Sequence, residues 1–164
     1  MKTKKVAFLG LSISLSMILS FVESQSPALV AIPGIKVGLP NIAIVFLLYK
    51  FGWREAVIVN IVRVILSGML FGNPISIIYS LCGATLSLLG MIILKKTNWF
   101  SPVAVSVVGG VLHNVGQILI AIFVTETAQL LYYLPVLLFS GTVAGVVIGI
   151  IAGLLVQKLS KLKF

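Results

Sequence analysis

The sequence predicts an all-α integral membrane protein, a single transmembrane domain over residues 1–164 built as a six-transmembrane-helix bundle. Hydrophobic residues make up 60% of the chain and charged residues only 9%, whereas a soluble domain carries about 25% charged residues. The apolar residues also gather into six runs, most of them near the roughly 20 residues that cross a bilayer. So few charges could not cover a water-soluble surface, and no soluble domain is predicted.

The basic residues predict the topology. Ten of the twelve lysines and arginines lie at the ends of apolar runs: Lys2, Lys4, Lys5, Lys50, Arg54, Lys95, Lys96, Lys158, Lys161 and Lys163. The positive-inside rule places such residues on the cytoplasmic side. Six crossings with cytoplasmic N- and C-termini put all of these clusters there, whereas five or seven crossings would not. The net charge of +9 therefore indicates topology and contact with anionic lipid head groups, not binding to nucleic acid.

Charges and Gly, Pro and Asn breaks separate the six predicted helices. They cover residues 6–22, 37–49, 56–71, 74–94, 102–124 and 129–157, with errors of a few residues at each end. The first follows a basic N-terminus, but no small-x-small cleavage site comes after it, so it is interpreted as a retained helix. The second is short for a crossing. Residues 27–36, just before it, are apolar but broken by prolines and a glycine, as in a lid or a partly re-entrant loop.

Small residues recur once per turn in two predicted helices. They are Ser12, Ser16 and Ser20 in the first helix and Gly141, Gly145, Gly149 and Gly153 in the sixth. In lipid, small residues let helix backbones approach closely, so that dispersion contacts replace contacts with lipid tails. The glycines predict a close-packed face, and its neighbour is either another helix of this chain or a partner subunit.

Polar side chains inside the fifth predicted helix mark a candidate site. His113, Asn114 and Gln117 lie in an apolar run, where no water can satisfy them, so they must face a protein interior, a cavity or a ligand. His113 and Gln117 are four residues apart and share a helix face. A role in a ligand site or pathway and simple hydrogen bonding between helices both stay open. The chain has one histidine and one cysteine, which predicts no metal site and no cofactor.

Arg63 lies inside the third predicted helix, with Asn60 one turn before it on the same face. An arginine keeps its proton and is costly at mid-bilayer unless it is paired. It is interpreted as a cationic anchor for an anionic ligand, or else as a structural partner of Glu23 or of helix carbonyls. Snorkelling to one surface is a third alternative.

The start of the second predicted helix carries two more candidates. Lys36 and Asn41 bracket it in the segment IKVGLPN. Its glycines and proline make the backbone irregular, which would expose N–H and C=O groups to a cavity. A solvated loop followed by an ordinary helix start is the alternative interpretation.

No catalytic residue is predicted. The chain has no P-loop, no Asp-rich motif, no Ser/His/Asp set and no CxxC motif, and it contains three carboxylates in all. Magnesium-assisted prenyl transfer by this polypeptide alone is therefore difficult to account for. Without a nucleotide site it also could not power transport unless partners supplied the energy.

Three stretches carry a family resemblance: IKVGLPNIA (35–43), NIVRVILSGMLFG (60–72) and SVVGGVLHNVGQ (106–117). They resemble the bacterial membrane family labelled heptaprenyl diphosphate synthase component I, also called the Gx transporter family. That family is similar in fold to the S components of energy-coupling-factor (ECF) vitamin transporters. These six-helix proteins capture a substrate in a cavity open to the outside and dock onto a transmembrane coupling subunit driven by two ATPases.

The resemblance implies a multi-pass protein of the bacterial inner membrane that contacts lipid, a small-molecule substrate and such a coupling subunit with its ATPase pair. The candidate substrate-binding residues are Glu23, Lys36, Asn41, Asn60, Arg63, His113, Asn114 and Gln117. The candidate partner-docking residues are Gly10, Ser12, Ser16, Gly141, Gly145 and Gly149. S-component docking surfaces usually carry an Ala-x-x-x-Ala pattern, whereas here Ala7 is followed by Leu11.

Three functions are consistent with these residues. The first is an S-component-like subunit of an ECF-type importer that captures a small polar or anionic nutrient or precursor from outside. The second is a membrane component of isoprenoid, heptaprenyl diphosphate or quinone biosynthesis, with a prenyl chain among the helices and its head at the polar cluster. The third is a scaffold for a membrane redox or assembly complex, with purely structural polar groups.

Overall fold

The computed structural model describes residues 2–25 and 38–160, and every regular element within them is helical. The α-helices are α1 (Lys2–Ser24), α2 (Asn41–Lys50), α3 (Trp53–Phe71), α4 (Pro74–Thr97), α5 (Pro102–Thr125) and α6 (Leu134–Lys158), and a 3₁₀ helix (Ala128–Tyr133) leads into α6. The predicted all-α class is confirmed. The predicted loop 27–36 lies outside the described residues.

Four stretches are long and apolar enough to cross a membrane: Thr3–Ser24, Pro74–Thr97, Pro102–Thr125 and Ala128–Lys158. Large hydrophobic side chains are exposed along all of them, for example Leu11, Leu89 and Phe139. This surface is that of a membrane protein. Six crossings and cytoplasmic termini stay predictions, because α2 is short and α3 carries charges.

The second helix is not a crossing of ordinary length, and the predicted span 37–49 is corrected here. Asn41–Lys50 has ten residues, so α2 is about 15 Å long, half of a hydrocarbon core of about 30 Å. Its side chains Ile44, Val45 and Leu47 are completely buried, because α1, α3, α5 and α6 all contact this helix. The helix therefore begins at mid-depth inside the bundle.

The helix termini that carry basic residues lie together at one end of the bundle, where hydrogen bonds and an ion pair connect them. Lys5 at the start of α1 pairs with Glu55 in the first turn of α3. Lys50 at the end of α2 donates to backbone carbonyls that follow α6, the nearest at 2.8 Å. Lys95 near the end of α4 donates to the carbonyl of Leu48. The starts of α1 and α3 thus share an end with the ends of α2, α4 and α6.

The glycines of α6 form its contact with α5 of the same chain, which is one of the two predicted alternatives. A Cβ atom added to Gly145 would lie 2.5 Å from the Cα of Val107, and one added to Gly149 would lie 2.6 Å from the Cα of Val103. One added to Gly141 would lie 2.8 Å from a carbonyl oxygen of α5. Only glycine permits these approaches. These three glycines were predicted to dock a partner, but α5 covers them, so they offer no exposed surface to one.

On α1 the serines and Gly10 face different ways. Ser12 and Ser16 are buried, and each hydroxyl donates to a carbonyl of its own helix, at 2.9 and 2.7 Å. Gly10 is exposed, and a Cβ atom there would meet nothing within 4 Å. Of the predicted docking residues on α1, only Gly10 is on the open side. Docking itself stays a prediction.

Candidate functional site

Polar residues from three helices lie at one depth in the bundle. At 1.5 Å per residue, Arg63 is about 15 Å along α3 from its basic end. By the same measure Asn41 is about 14 Å from the end of α2, and His113 about 17 Å from the start of α5. These values correspond to the middle of a hydrocarbon core of about 30 Å. The short α2 makes this possible, because its first residue is already at mid-depth.

Arg63 is held by two amide side chains. Its Nη2 donates to the Oδ1 of Asn60 at 2.6 Å and to the Oδ1 of Asn41 at 3.3 Å. Its side chain is 8% exposed, and its Nε is buried without a hydrogen-bond partner among the described residues. Since a guanidinium has five N–H donors, this cluster keeps donor capacity for another acceptor.

Glu23 connects the end of α1 to the start of α2. Its carboxylate accepts a hydrogen bond from the backbone N–H of Gly38, and an electrostatic attraction links it to Arg63. Gly38 has φ +81°, and a Cβ atom there would lie 3.1 Å from the Nδ2 of Asn41. Glycine suits this position because it adopts a positive φ without strain and has no Cβ atom to approach Asn41. The end of α1 therefore contacts the turn before α2, and the start of α2 contacts the middle of α3.

The polar residues of α5 separate into different roles. Asn114 Nδ2 donates to the carbonyl of Leu137 at 2.7 Å and to the Oγ of Ser140 at 3.4 Å, so it bonds α5 to α6. His113 is buried and Gln117 half-buried, and both lie against Gly83 of α4. A Cβ atom on Gly83 would come within 2.8 Å of Gln117 Cγ. Hydrogen bonding between helices is thus the observed role of Asn114.

A small cavity of about 20 Å³ lies between these elements. Its polar walls are Asn41, Ser87, Ser106, His113 and Asn114. That volume holds about one water molecule, whereas ligand pockets measure roughly 300–1,000 Å³. A nutrient-sized molecule would fit only after the walls separate.

The structure brings some of the predicted site residues together and leaves others apart. Asn41 belongs both to the Arg63 cluster and to the cavity wall, since it accepts a hydrogen bond from Arg63 and lines the cavity together with His113. Gln117 is absent from the cavity wall. Lys36 lies outside the described residues.

Two wall residues, Ser87 and Ser106, are buried polar side chains that the sequence reasoning did not single out. Helical spacing offers a signal for one of them. Ser106 precedes His113 by seven residues, which is two turns on the same face. No comparable signal distinguishes Ser87 from the other serines of α4.

A second, larger cavity lies between α3 and α4. It measures about 210 Å³ and is lined by Val57, Asn60, Ile61, Leu81, Ala84, Thr85, Leu88, Leu89 and Ile92. Ile61 and Leu89 are 46% and 53% exposed, so this groove opens on the apolar outer surface. Asn60 links the groove to Arg63, because its amide oxygen accepts from the guanidinium.

Comparisons with known proteins add a family. No curated protein matches the chain, and no solved structure does. The family described as heptaprenyl diphosphate synthase component I matches residues 12–155. The matched interval runs from α1 into the last turns of α6, and it includes the Arg63 cluster and both cavities. The resemblance identified from sequence is thereby confirmed, and the chain belongs to the heptaprenyl diphosphate synthase component I family.

Proposed function

We propose that this chain is a substrate-binding subunit, of the S-component type, in an energy-coupling-factor importer of the bacterial inner membrane. It captures a small polar or anionic nutrient or precursor from outside the cell. The observation that carries the proposal is the buried Arg63, which two amides hold at mid-depth, one of them the Asn41 that lines the polar cavity. A charge at this depth is costly, and an uncharged side chain would serve for packing alone. The charge therefore favours a role in binding.

The helix arrangement supports the proposed orientation. The ion pair and hydrogen bonds of Lys5, Lys50 and Lys95 lie at one end of the bundle, which the positive-inside rule assigns to the cytoplasm. Glu23 and Glu126 then lie at the outer end. A substrate from outside would reach the start of α2 and Arg63 first.

Capture requires the walls to move, because the cavity beside Asn41 holds about one water molecule. Asn41 connects the proposed charged group to the proposed polar pocket, since it contacts Arg63 and lines the same cavity as His113. A bound anion would accept charge-assisted hydrogen bonds from Arg63, and the amides would orient it. A coupling subunit and an ATPase pair would supply the energy, with the exposed side of α1 around Gly10 as the docking face.

Native mass spectrometry of the gently purified full-length protein, co-expressed with a coupling subunit and its ATPases, tests this function. We expect a small molecule and those subunits to be retained by the wild type and by the control Arg54→Gln, since Arg54 is exposed at a helix end. Arg63→Gln should lose at least nine-tenths of the small molecule while keeping a cooperative unfolding transition. Equal ligand content in all three proteins, or none in any, would reject the proposal.

The groove between α3 and α4 favours a second function, in isoprenoid or quinone biosynthesis. Its 210 Å³ exceed the roughly 150 Å³ of a cavity that binds benzene. A prenyl chain in this groove would place its polar head beside Asn60 and Arg63. Retention of a prenyl lipid together with a soluble prenyl synthase would support this function, whereas retention of an ATPase pair supports import.

A further inference from the structure

The carboxylate of Glu23 occupies a position suited to an anion. It accepts the N–H of Gly38, in the turn that leads into α2. The N-terminal end of a helix carries a partial positive charge, so it attracts anions. The N–H groups of Asn41, Ile42 and Ala43 bond to carbonyls of the preceding turn. The N–H of Gly38 in that turn is the donor that Glu23 takes. Asn41 begins α2 at mid-depth within the bundle, where low dielectric strengthens this attraction.

Arg63 is a second, independent cationic group at the start of α2. Its side chain is 8% exposed, its Nη2 contacts Asn41 at the first position of α2, and its Nε is buried without a hydrogen-bond partner among the described residues. Two amide oxygens orient this guanidinium without neutralising it. Glu23 supplies the negative charge that acts on it.

We infer that Arg63 and the N-terminal end of α2 form a binding site for an anionic group of the substrate, and that Glu23 fills this site until the substrate displaces it. The inference rests on the proposed capture function and adds a chemical class, a carboxylate or a phosphate. A carboxylate replaces Glu23 without changing the charge beside Arg63, and a phosphate adds up to one further negative charge there. A cationic ligand would instead place a second positive charge near Arg63, which like-charge repulsion disfavours.

Displacement of Glu23 would break the bond between the end of α1 and Gly38. The ring contact between Phe21 and Phe71, with centroids 5.2 Å apart, would then attach this end to α3, and rotamer changes can adjust such a contact. The other end of α1 has its own attachments. Phe8 packs against Phe46 and Phe51 with ring centroids 5.9 and 5.1 Å apart, and Lys5 pairs with Glu55. Substrate binding would therefore move the outer part of α1 while its basic end stays in place.

The test measures binding of inorganic phosphate and of acetate to the full-length protein in nanodiscs, at constant ionic strength, from the shift of the unfolding midpoint. We expect Glu23→Gln to bind either anion at least tenfold more tightly than the wild type does. Glu126→Gln, which removes an exposed carboxylate elsewhere, should bind like the wild type. The double variant Glu23→Gln, Arg63→Gln should lose the gain. Unchanged or weaker anion binding by Glu23→Gln would overturn the inference.

A second measurement keeps Glu23 and does not depend on the folding of that variant. A nitroxide label on Ser24→Cys, in a Cys82→Ala background, should become more mobile at saturating phosphate, and an unchanged spectrum would overturn the inference. The importer proposal is judged separately. If the coupling subunit and ATPases co-purify but Glu23→Gln shows no gain, only this site is rejected; if the gain is present without those partners, only the importer is rejected.

Discussion

Two interfaces of this bundle are built from different contacts. Between α5 and α6 the backbones nearly touch, because glycines such as Gly145 leave no side chain between them. Between α1 and α3 side chains make the contacts: the Lys5–Glu55 pair, the Oγ of Ser67 at 3.4 Å from a methionine sulfur, and two phenylalanine rings 5.2 Å apart. A side-chain atom added at Gly141, Gly145 or Gly149 would clash with α5, whereas the second interface can adjust by rotamer changes.

This difference assigns a mechanical role to each region. A backbone-to-backbone contact gains its energy from close dispersion contacts, so α5 and α6 are expected to behave as one rigid unit. The α1–α3 interface can separate stepwise, since its contacts are individually small. The polar site adjoins both regions, with His113 on the rigid unit and Glu23 on α1. Binding is therefore expected to move α1 and to leave α5 and α6 fixed. The cavity then widens by movement of α2 and α4, which supply its remaining walls.

The largest effect is expected for Gly145→Leu at the α5–α6 interface. A Cβ atom at Gly145 would lie 2.5 Å from the Cα of Val107, so the helices must separate. Overpacking of this kind costs about 3 kcal/mol. Unfolding in mixed micelles by titration with dodecyl sulfate measures the free energy.

The matched control is Gly10→Leu, which places the same side chain on the exposed side of α1. Nothing lies within 4 Å of a Cβ atom there, so its free energy of unfolding should stay within about 0.5 kcal/mol of wild type. Equal losses for the two variants would contradict the contrast between the two interfaces.

A smaller effect is expected for Asn114→Ala, which removes the polar bond between α5 and α6. The lost interactions are the 2.7 Å bond to the Leu137 carbonyl and the 3.4 Å bond to Ser140. Hydrogen bonds between membrane helices contribute about 1 kcal/mol, so a loss of this size is expected in the same titration.

Thr142→Ala serves as the control for Asn114→Ala, because the Thr142 hydroxyl donates within α6, to the Leu138 carbonyl at 2.8 Å. It should change the free energy of unfolding by a few tenths of a kcal/mol at most, roughly the size of other surface substitutions. A similar loss in both variants would mean that Asn114 contributes nothing across the interface.

The sequence predicted the helices well because bilayer solvation makes composition decisive. It predicted that α2 is short for a crossing, but not that α1, α3, α5 and α6 contact and bury it. A side chain such as Leu47 is equally compatible with lipid and with a protein interior. The apolar pattern of a helix therefore does not distinguish contact with lipid from burial by other helices. Only the glycine and proline before Asn41 indicated an irregular start.

For the site, local spacing predicted one contact and tertiary packing supplied the others. Asn60 and Arg63 are three residues apart, and the predicted shared face is confirmed by their 2.6 Å hydrogen bond. The contact of Arg63 with Asn41 depends on how α2 packs against α3, which no spacing encodes. The sequence also could not predict that Ser12 and Ser16 face inward, since small residues suit an internal face and a docking face alike.

The smallest effect is expected at the Lys5–Glu55 pair, the charged contact between α1 and α3. Their side chains are 43% and 15% exposed, and exposed pairs contribute about 0.5 kcal/mol. A double-mutant cycle with Lys5→Met and Glu55→Gln should give a coupling energy of that size, and it should vanish near about 1 M salt, where screening acts over about 3 Å. A salt-independent coupling of about 2 kcal/mol would show instead that this pair attaches the basic end of α1 firmly to α3. The α1–α3 interface would then separate only in the outer half of α1, near Glu23, and not stepwise along its whole length.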